Sequence, residues 1–121
     1  MSNEIFFNDL KNTFLSLSEV IAKSPIDQCD LLIDYTDDLD ALFERNFQCF
    51  KDAKDLLNKA MVNNDKVTIQ ASLVYIRVYA MGLSNFFETF KDDSDIFLKE
   101  SIWPDIPEDY QVPEHYNFQH K

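Results

Sequence analysis

Apolar residues recur at alternating steps of three and four in three long stretches of the chain, which is the spacing of an amphipathic α-helix. The first stretch covers residues 4–23, and Ser2 or Asn3 can cap its start. Its apolar positions are Phe7, Leu10, Phe14, Leu17 and Ile21. We therefore predict a first helix over 4–23 with one face turned towards a core.

The second stretch starts with a helix-start signal, in which Ser24 suits the N-cap and Pro25 the first helical position. The apolar series then runs from Cys29 to Ala60 without Gly or Pro. One helix over 25–62 fits this pattern, and so does a break near 35–37 with Thr36 as a new cap. We favour the single helix slightly, because the apolar register continues through the candidate break. Residues 61–65 then read as a turn, in which Asn supplies a permissive backbone.

The third stretch covers residues 66–91. Its first residues, 67–73, alternate apolar and polar side chains as a strand would, but the helical period persists for three heptads and favours a helix. A second apolar row lies beside the first and comprises Val67, Ala71, Val74, Val78 and Met81. A helix that is apolar on so much of its circumference is expected to be the most buried one.

The chain changes character after residue 91. Asp93 or Ser94 can cap a short helix that runs to about Ile102, and Trp103-Pro104 would end it. The remaining stretch contains Pro104, Pro107 and Pro113 together with aromatic residues, so we expect an extended tail lying across the helices. The predicted fold is all-α, an antiparallel bundle of three long helices plus a short one, with the bundle at 1–103 and the tail at 104–121.

Composition narrows the chemistry and the location. The chain has 121 residues, enough for one domain, and its single Gly makes a Gly-rich phosphate loop almost impossible. Cys29 and Cys49 form no CxxC motif, which favours reduced thiols in packing roles. We see no signal peptide pattern and no apolar run of the ~20 residues that a membrane span requires. We therefore expect a soluble cytoplasmic protein with no membrane association.

Charge is the strongest signal in the sequence. The net charge is −11, which makes direct binding to nucleic acid improbable because phosphates would be repelled. Residues 24–44 contain seven acids and no base, and residues 92–121 contain eight acids and two bases. On one continuous helix, most acids of the first cluster would share an arc opposite the core. The predicted partner-binding residues are Asp27, Asp30, Ile33, Asp34, Asp37, Asp38, Glu44, Asp92, Asp93, Asp95, Glu108 and Asp109.

No catalytic motif is apparent, and we expect neither an enzyme nor a cofactor. His115 and His120, the two histidines of the chain, both lie in the tail without a partner cluster. A metal site of the di-iron type would need inward-facing Glu and His pairs, so no metal is expected.

These patterns favour a binding protein that covers a basic protein surface. An immunity protein (antitoxin) that blocks a nuclease-type toxin and a phage-type inhibitor that mimics nucleic acid would use the same electrostatics. A helical adaptor or an oligomeric bundle with an apolar interface is the alternative, in which case the acids only maintain solubility. The sequence does not fix the oligomeric state.

Overall fold

A computed structural model describes residues 5–20, 36–100 and 102–120 of the chain. The described residues form three α-helices, α1 (Phe7–Val20), α2 (Leu39–Val62) and α3 (Lys66–Leu98), and a short 3₁₀ turn at Glu114–Tyr116. None of the described residues lies in a β-strand. The predicted all-helical class is therefore confirmed for this part of the chain.

Helix α1 lies within the first apolar stretch and begins later than predicted. It begins at Phe7, so residues 5 and 6 precede it, and it is described as far as Val20. The proposed caps Ser2 and Asn3 and the predicted end at 21–23 lie outside the described residues. Phe7 is buried, and Leu10, Phe14 and Leu17 pack against buried phenylalanines.

Helix α2 corrects the single long helix that we favoured from the sequence. Residues 36–38 are not helical, and the helix begins at Leu39 after the N-cap Asp38. The Asp38 side chain accepts a hydrogen bond of 3.1 Å from the backbone N–H of Ala41, as an N-cap should. Residues 25–62 therefore do not form one continuous helix, and the cap of α2 is Asp38 and not Thr36. Residues 25–35 of the predicted helix lie outside the described residues.

The turn between α2 and α3 agrees with its prediction. Asn64 has a positive φ of 51°, a conformation that Asn tolerates better than most residues. Asp65 caps α3 through its carboxylate, which accepts hydrogen bonds from the backbone N–H and the hydroxyl of Thr68. Three residues therefore suffice to reverse the chain, and α2 and α3 form an antiparallel hairpin.

Helix α3 is longer than predicted and includes the segment assigned to a separate short helix. It runs for 33 residues, about 50 Å, without a break at Asp93 or Ser94. Asp93 is buried, and the hydroxyl of Ser94 donates to the Phe90 carbonyl one turn earlier. Ser94 therefore bonds within the helix rather than capping a new one.

A phenylalanine core joins the three helices. The ring of Phe7 in α1 lies 4.8 Å from Phe43 in α2 and 4.9 Å from Phe86 in α3, measured between centroids. Two helical turns after Phe7, Phe14 packs against Phe90 and Phe97. Helix α1 therefore runs in the same direction as α3 and covers its C-terminal part, whereas α2 runs in the opposite direction along the N-terminal part.

The N-terminal half of α3 is less buried than its composition suggested. Its second apolar row remains largely exposed, because α2 covers one face of this half and α1 lies beside the other half. Helix α3 still contains more buried residues than α1 or α2, but they are concentrated in its C-terminal half. None of the described helices is both long and apolar enough to cross a membrane.

Beyond α3, residues 102–120 form an extended segment that we call the acidic arm. Every one of these residues is exposed, so the arm does not lie across the helices as predicted. Its attachment is at Trp103, whose indole N–H donates a hydrogen bond of 2.6 Å to the Phe97 carbonyl. Trp103 also lines an apolar cavity of about 320 Å³ together with Phe14 and Leu17.

Candidate partner-binding surface

The predicted acidic cluster of residues 24–44 is only partly described. Asp27, Asp30, Ile33 and Asp34 lie outside the described residues. Asp37 and Asp38 precede α2, so they do not share a helical face with Glu44 as the sequence pattern suggested. Glu44 lies on α2 and is exposed, as are Asp37 and Asp38.

Asp38 belongs to a hydrogen-bond network that joins the N-termini of α1 and α2. Its carboxylate accepts a bond of 2.8 Å from the side-chain amide of Asn8, and the Asn8 side-chain oxygen accepts one from the backbone N–H of Leu39. The bond from Asn8, followed by that from the backbone of Ala41, lowers the pKa of Asp38 below its usual value of 3.8. The structure therefore gives Asp38 a capping role that the sequence analysis did not assign.

Asp37 is held in the same region by its backbone. Its carbonyl accepts a hydrogen bond of 2.9 Å from the Lys11 ammonium of α1, and its carboxylate accepts one from the backbone N–H of Asp38. Lys11 therefore reduces the negative potential beside Asp37. Among the described members of the first cluster, Glu44 is not one of the acids that bond in this network.

The second predicted cluster, near the end of α3, is partly neutralised by the chain itself. The Lys91 ammonium lies 3.0 Å from the Asp95 carboxylate and 3.3 Å from that of Asp92. The hydrogen bond from Lys91 to Asp95, followed by that to Asp92, raises the pKa of Lys91. Asp93 is fully buried, so its assignment to a partner-binding surface is wrong in this conformation. On α3, Phe90 follows Phe86 by four residues and Asp93 follows Phe90 by three. This helical spacing places Asp93 on the same face as the two buried rings.

The acidic arm holds the remaining predicted residues, Glu108 and Asp109, and both are exposed. Asp105 and Glu114, which the sequence analysis did not select, lie on the same arm and are also exposed. Residues 102–120 contain no Lys or Arg. The absence of bases was visible in the sequence, and it was the signal that could have extended the selection to these two acids.

Apolar side chains alternate with these acids along the arm and are also exposed. They are Ile106, Tyr110, Val112, Tyr116 and Phe118. Exposed aromatic and aliphatic groups beside charges are typical of residues that become buried when a partner binds. The acidic arm thus combines exposed carboxylates with exposed apolar side chains.

A second cavity, of about 200 Å³, opens between α2 and α3 and is lined by Cys49, Asp52, Tyr75 and Tyr79, among others. Cys49 is a free thiol, and neither histidine lies at this cavity. Within the described residues, no group of three or more His, Cys, Asp or Glu side chains could hold a metal ion.

Comparison with known proteins adds no assignment: no family model, no curated protein and no solved structure matches this chain. The functional argument therefore depends on the charges, contacts and exposure of its own residues.

Proposed function

We propose that this chain is a non-enzymatic binding protein that neutralises a basic protein partner. An immunity protein that blocks a nuclease-type toxin, or a phage-type inhibitor that mimics nucleic acid, would act in this way. Both kinds of partner carry a positive surface because they must attract phosphate. An acidic protein that occupies this surface excludes the substrate without doing any chemistry.

The observation that carries the proposal is the acidic arm. It presents four exposed carboxylates, no described base and several exposed apolar side chains on one extended segment. An extended segment can follow the contour of a partner, and its apolar side chains can enter pockets there. The acids near and on the helices are weaker support for the proposal. Asp38 is an N-cap, and Asp92 and Asp95 contact Lys91.

Electrostatics and apolar contact would contribute to different steps of binding. Opposite potentials accelerate the encounter of two proteins and lose this effect as salt screens them. Buried anchors such as Tyr110 and Ile106 would mainly slow dissociation. The proposed complex is therefore expected to form rapidly at low salt and to lose association rate at high salt.

The test begins with the full chain as bait in extracts of its own cells, with co-purifying proteins identified by mass spectrometry. The proposal expects a basic protein, whose activity on nucleic acid the purified chain then inhibits. In the second step, Asp105, Glu108 and Asp109 are each replaced by Lys. This triple variant should weaken binding by more than about tenfold, about 1.4 kcal/mol, mostly through the association rate.

A matched control replaces Asp52, Asp55 and Glu88 by Lys, which changes the net charge equally on exposed helix positions away from the arm. The control should bind considerably better than the arm variant. Equal losses in the two variants would assign the effect to net charge rather than to the arm. A partner without a basic surface, or an affinity that the arm variant leaves unchanged, would contradict the proposal.

A further inference from the structure

The N-terminal half of α3 has an apolar surface that α2 does not cover. Val67, Val74, Val78 and Met81 lie at steps of three, four and seven along this face, and we call them the α3 row. Their side chains are 45% to 78% exposed. Leu73 and Tyr75, which flank the row, are about half exposed as well. Monomeric proteins rarely leave so many large apolar groups together in water.

The surrounding fold explains why this surface has no cover within the described chain. Helix α1 contacts α3 through Phe86, Phe90 and Phe97, which are farther along the helix. The acidic arm leaves α3 at its opposite end. Among the described residues, only α2 packs along the first half of α3, so the described part of this end is two helices thick. A hairpin of two helices has no second layer over its outer faces.

The charge of this region indicates which kind of partner fits. Arg77 is the sole charged residue between positions 67 and 87, in a chain of net charge −11. A basic partner would find no carboxylate on this stretch of α3 to pair with. A second copy of the chain, by contrast, could approach here without bringing two acidic surfaces together, because its own row is equally uncharged.

The length of the α3 row suits such an interface. From Val67 to Met81 the row extends over about 21 Å of continuous helix, close to four turns. The α3 helices of two copies can therefore pack side by side over this length.

We propose that the α3 row is the interface of a homodimer, in which the α2–α3 hairpins of two copies pack together as four helices. Pairing of two identical apolar faces about a twofold axis is the commonest form of self-association. The four-helix arrangement would give α3 a second packed face and supply the layer that one copy lacks. This interface uses none of the residues of the acidic arm.

Sedimentation analysis of the full chain over a range of concentrations tests the proposal. The wild type should dimerise, and the association should persist or strengthen at high salt, because salt screens the repulsion between two acidic chains. Replacing Val74 and Val78 by Ser adds no charge and should weaken the dimer by at least about tenfold. The pair Val74→Glu and Val78→Glu should give a monomer.

The control for the Glu pair is Val62→Glu with Ile106→Glu, two apolar positions that are at least 80% exposed and lie outside the row. It adds the same charge and should remain dimeric, and circular dichroism should show unchanged helix content in every variant. A wild type that stays monomeric at all concentrations and salts would overturn the proposal. So would a dimer that the Val74 and Val78 variants leave intact. The salt response separates this interface from the proposed basic partner, whose binding should weaken.

Discussion

The carboxylate of Asp40, in the first turn of α2, accepts a hydrogen bond of 2.7 Å from the backbone N–H of Phe7, the first residue of α1. The same oxygen accepts a second bond, of 3.1 Å, from the backbone N–H of Asn8. A helix N-terminus has N–H groups without partners in its own helix, and a carboxylate stabilises them through hydrogen bonds and the helix dipole. One acid of α2 therefore caps α1 from another element of the chain.

Asp40→Ala tests this contact between the helices. The substitution leaves two N–H groups at the start of α1 without their carboxylate, next to the buried ring of Phe7. Loss of a cap costs about 0.5–2 kcal/mol, and we expect a value in the upper half of this range. Urea unfolding followed by circular dichroism measures the change in the free energy of unfolding.

The control for this prediction is Asp52→Ala, at an exposed position of α2 where the carboxylate accepts a hydrogen bond from the side-chain amide of Gln48. Its effect should stay within about 0.5 kcal/mol. If the two variants lose equal stability, the Asp40 bonds do not hold α1 to α2.

Two adjacent phenylalanines of α3 should differ widely in their contribution to stability. Phe86 is 7% exposed and touches Phe7 and Phe43, whereas Phe87 is 48% exposed. Phe86→Ala leaves a cavity in the core and should cost about 3–5 kcal/mol. Phe87→Ala should cost less than half as much, because its ring is already half in water. Thermal and urea unfolding of both variants compare the two, and similar losses would contradict the assigned core.

Local sequence patterns predicted the helices and the turn between α2 and α3, because apolar period and turn chemistry act over a few residues. They failed at the start of α2. The apolar register passes through residues 36–38, so it does not reveal that Asp38 leaves the helix and caps the next residues. Capping by Asp40 depends on a contact 33 residues away, which no local pattern contains.

The burial of individual side chains was mispredicted for a related physical reason. Asp93 was assigned to a partner-binding surface as a member of the second acidic cluster, yet it is fully buried. Val74 and Val78 belong to the second apolar row of a helix that we expected to be the most buried one, yet both are about half exposed. Whether a side chain is buried depends on which other element reaches it, and the composition of its own helix does not determine this.

The N-cap of α3 should make stability depend on pH. Hydrogen bonds from the hydroxyl of Thr68, and then from its backbone N–H, lower the pKa of Asp65 below its usual value of 3.8. The folded state therefore binds the proton more weakly than the unfolded state does. The contribution of the ionised carboxylate is present above the unfolded pKa and is lost as pH falls through the folded one.

Asp65→Asn isolates this contribution, because Asn also caps helices well but does not titrate. We expect little change in stability at neutral pH and a smaller decline in the free energy of unfolding between about pH 5 and pH 2 than in the wild type. Urea unfolding across this range measures both slopes. Glu88→Gln, at an exposed position without a capping role, serves as the control. An unchanged acid slope in Asp65→Asn would show that the cap does not titrate.

Gly82, the single glycine of the chain, lies within α3 and should be replaceable with a gain in stability. A Cβ atom added there would meet no heavy atom within 4 Å, so no contact in one copy of the chain requires glycine. Glycine inside a helix costs about 0.5–1 kcal/mol relative to alanine, because it loses more backbone entropy on folding. Gly82→Ala should therefore raise the free energy of unfolding by this amount in dilute protein, measured by urea unfolding. Gln70→Ala, at an exposed position of the same helix, should change it by much less. A loss of stability in Gly82→Ala would mean that another chain approaches the α3 backbone closely at this residue.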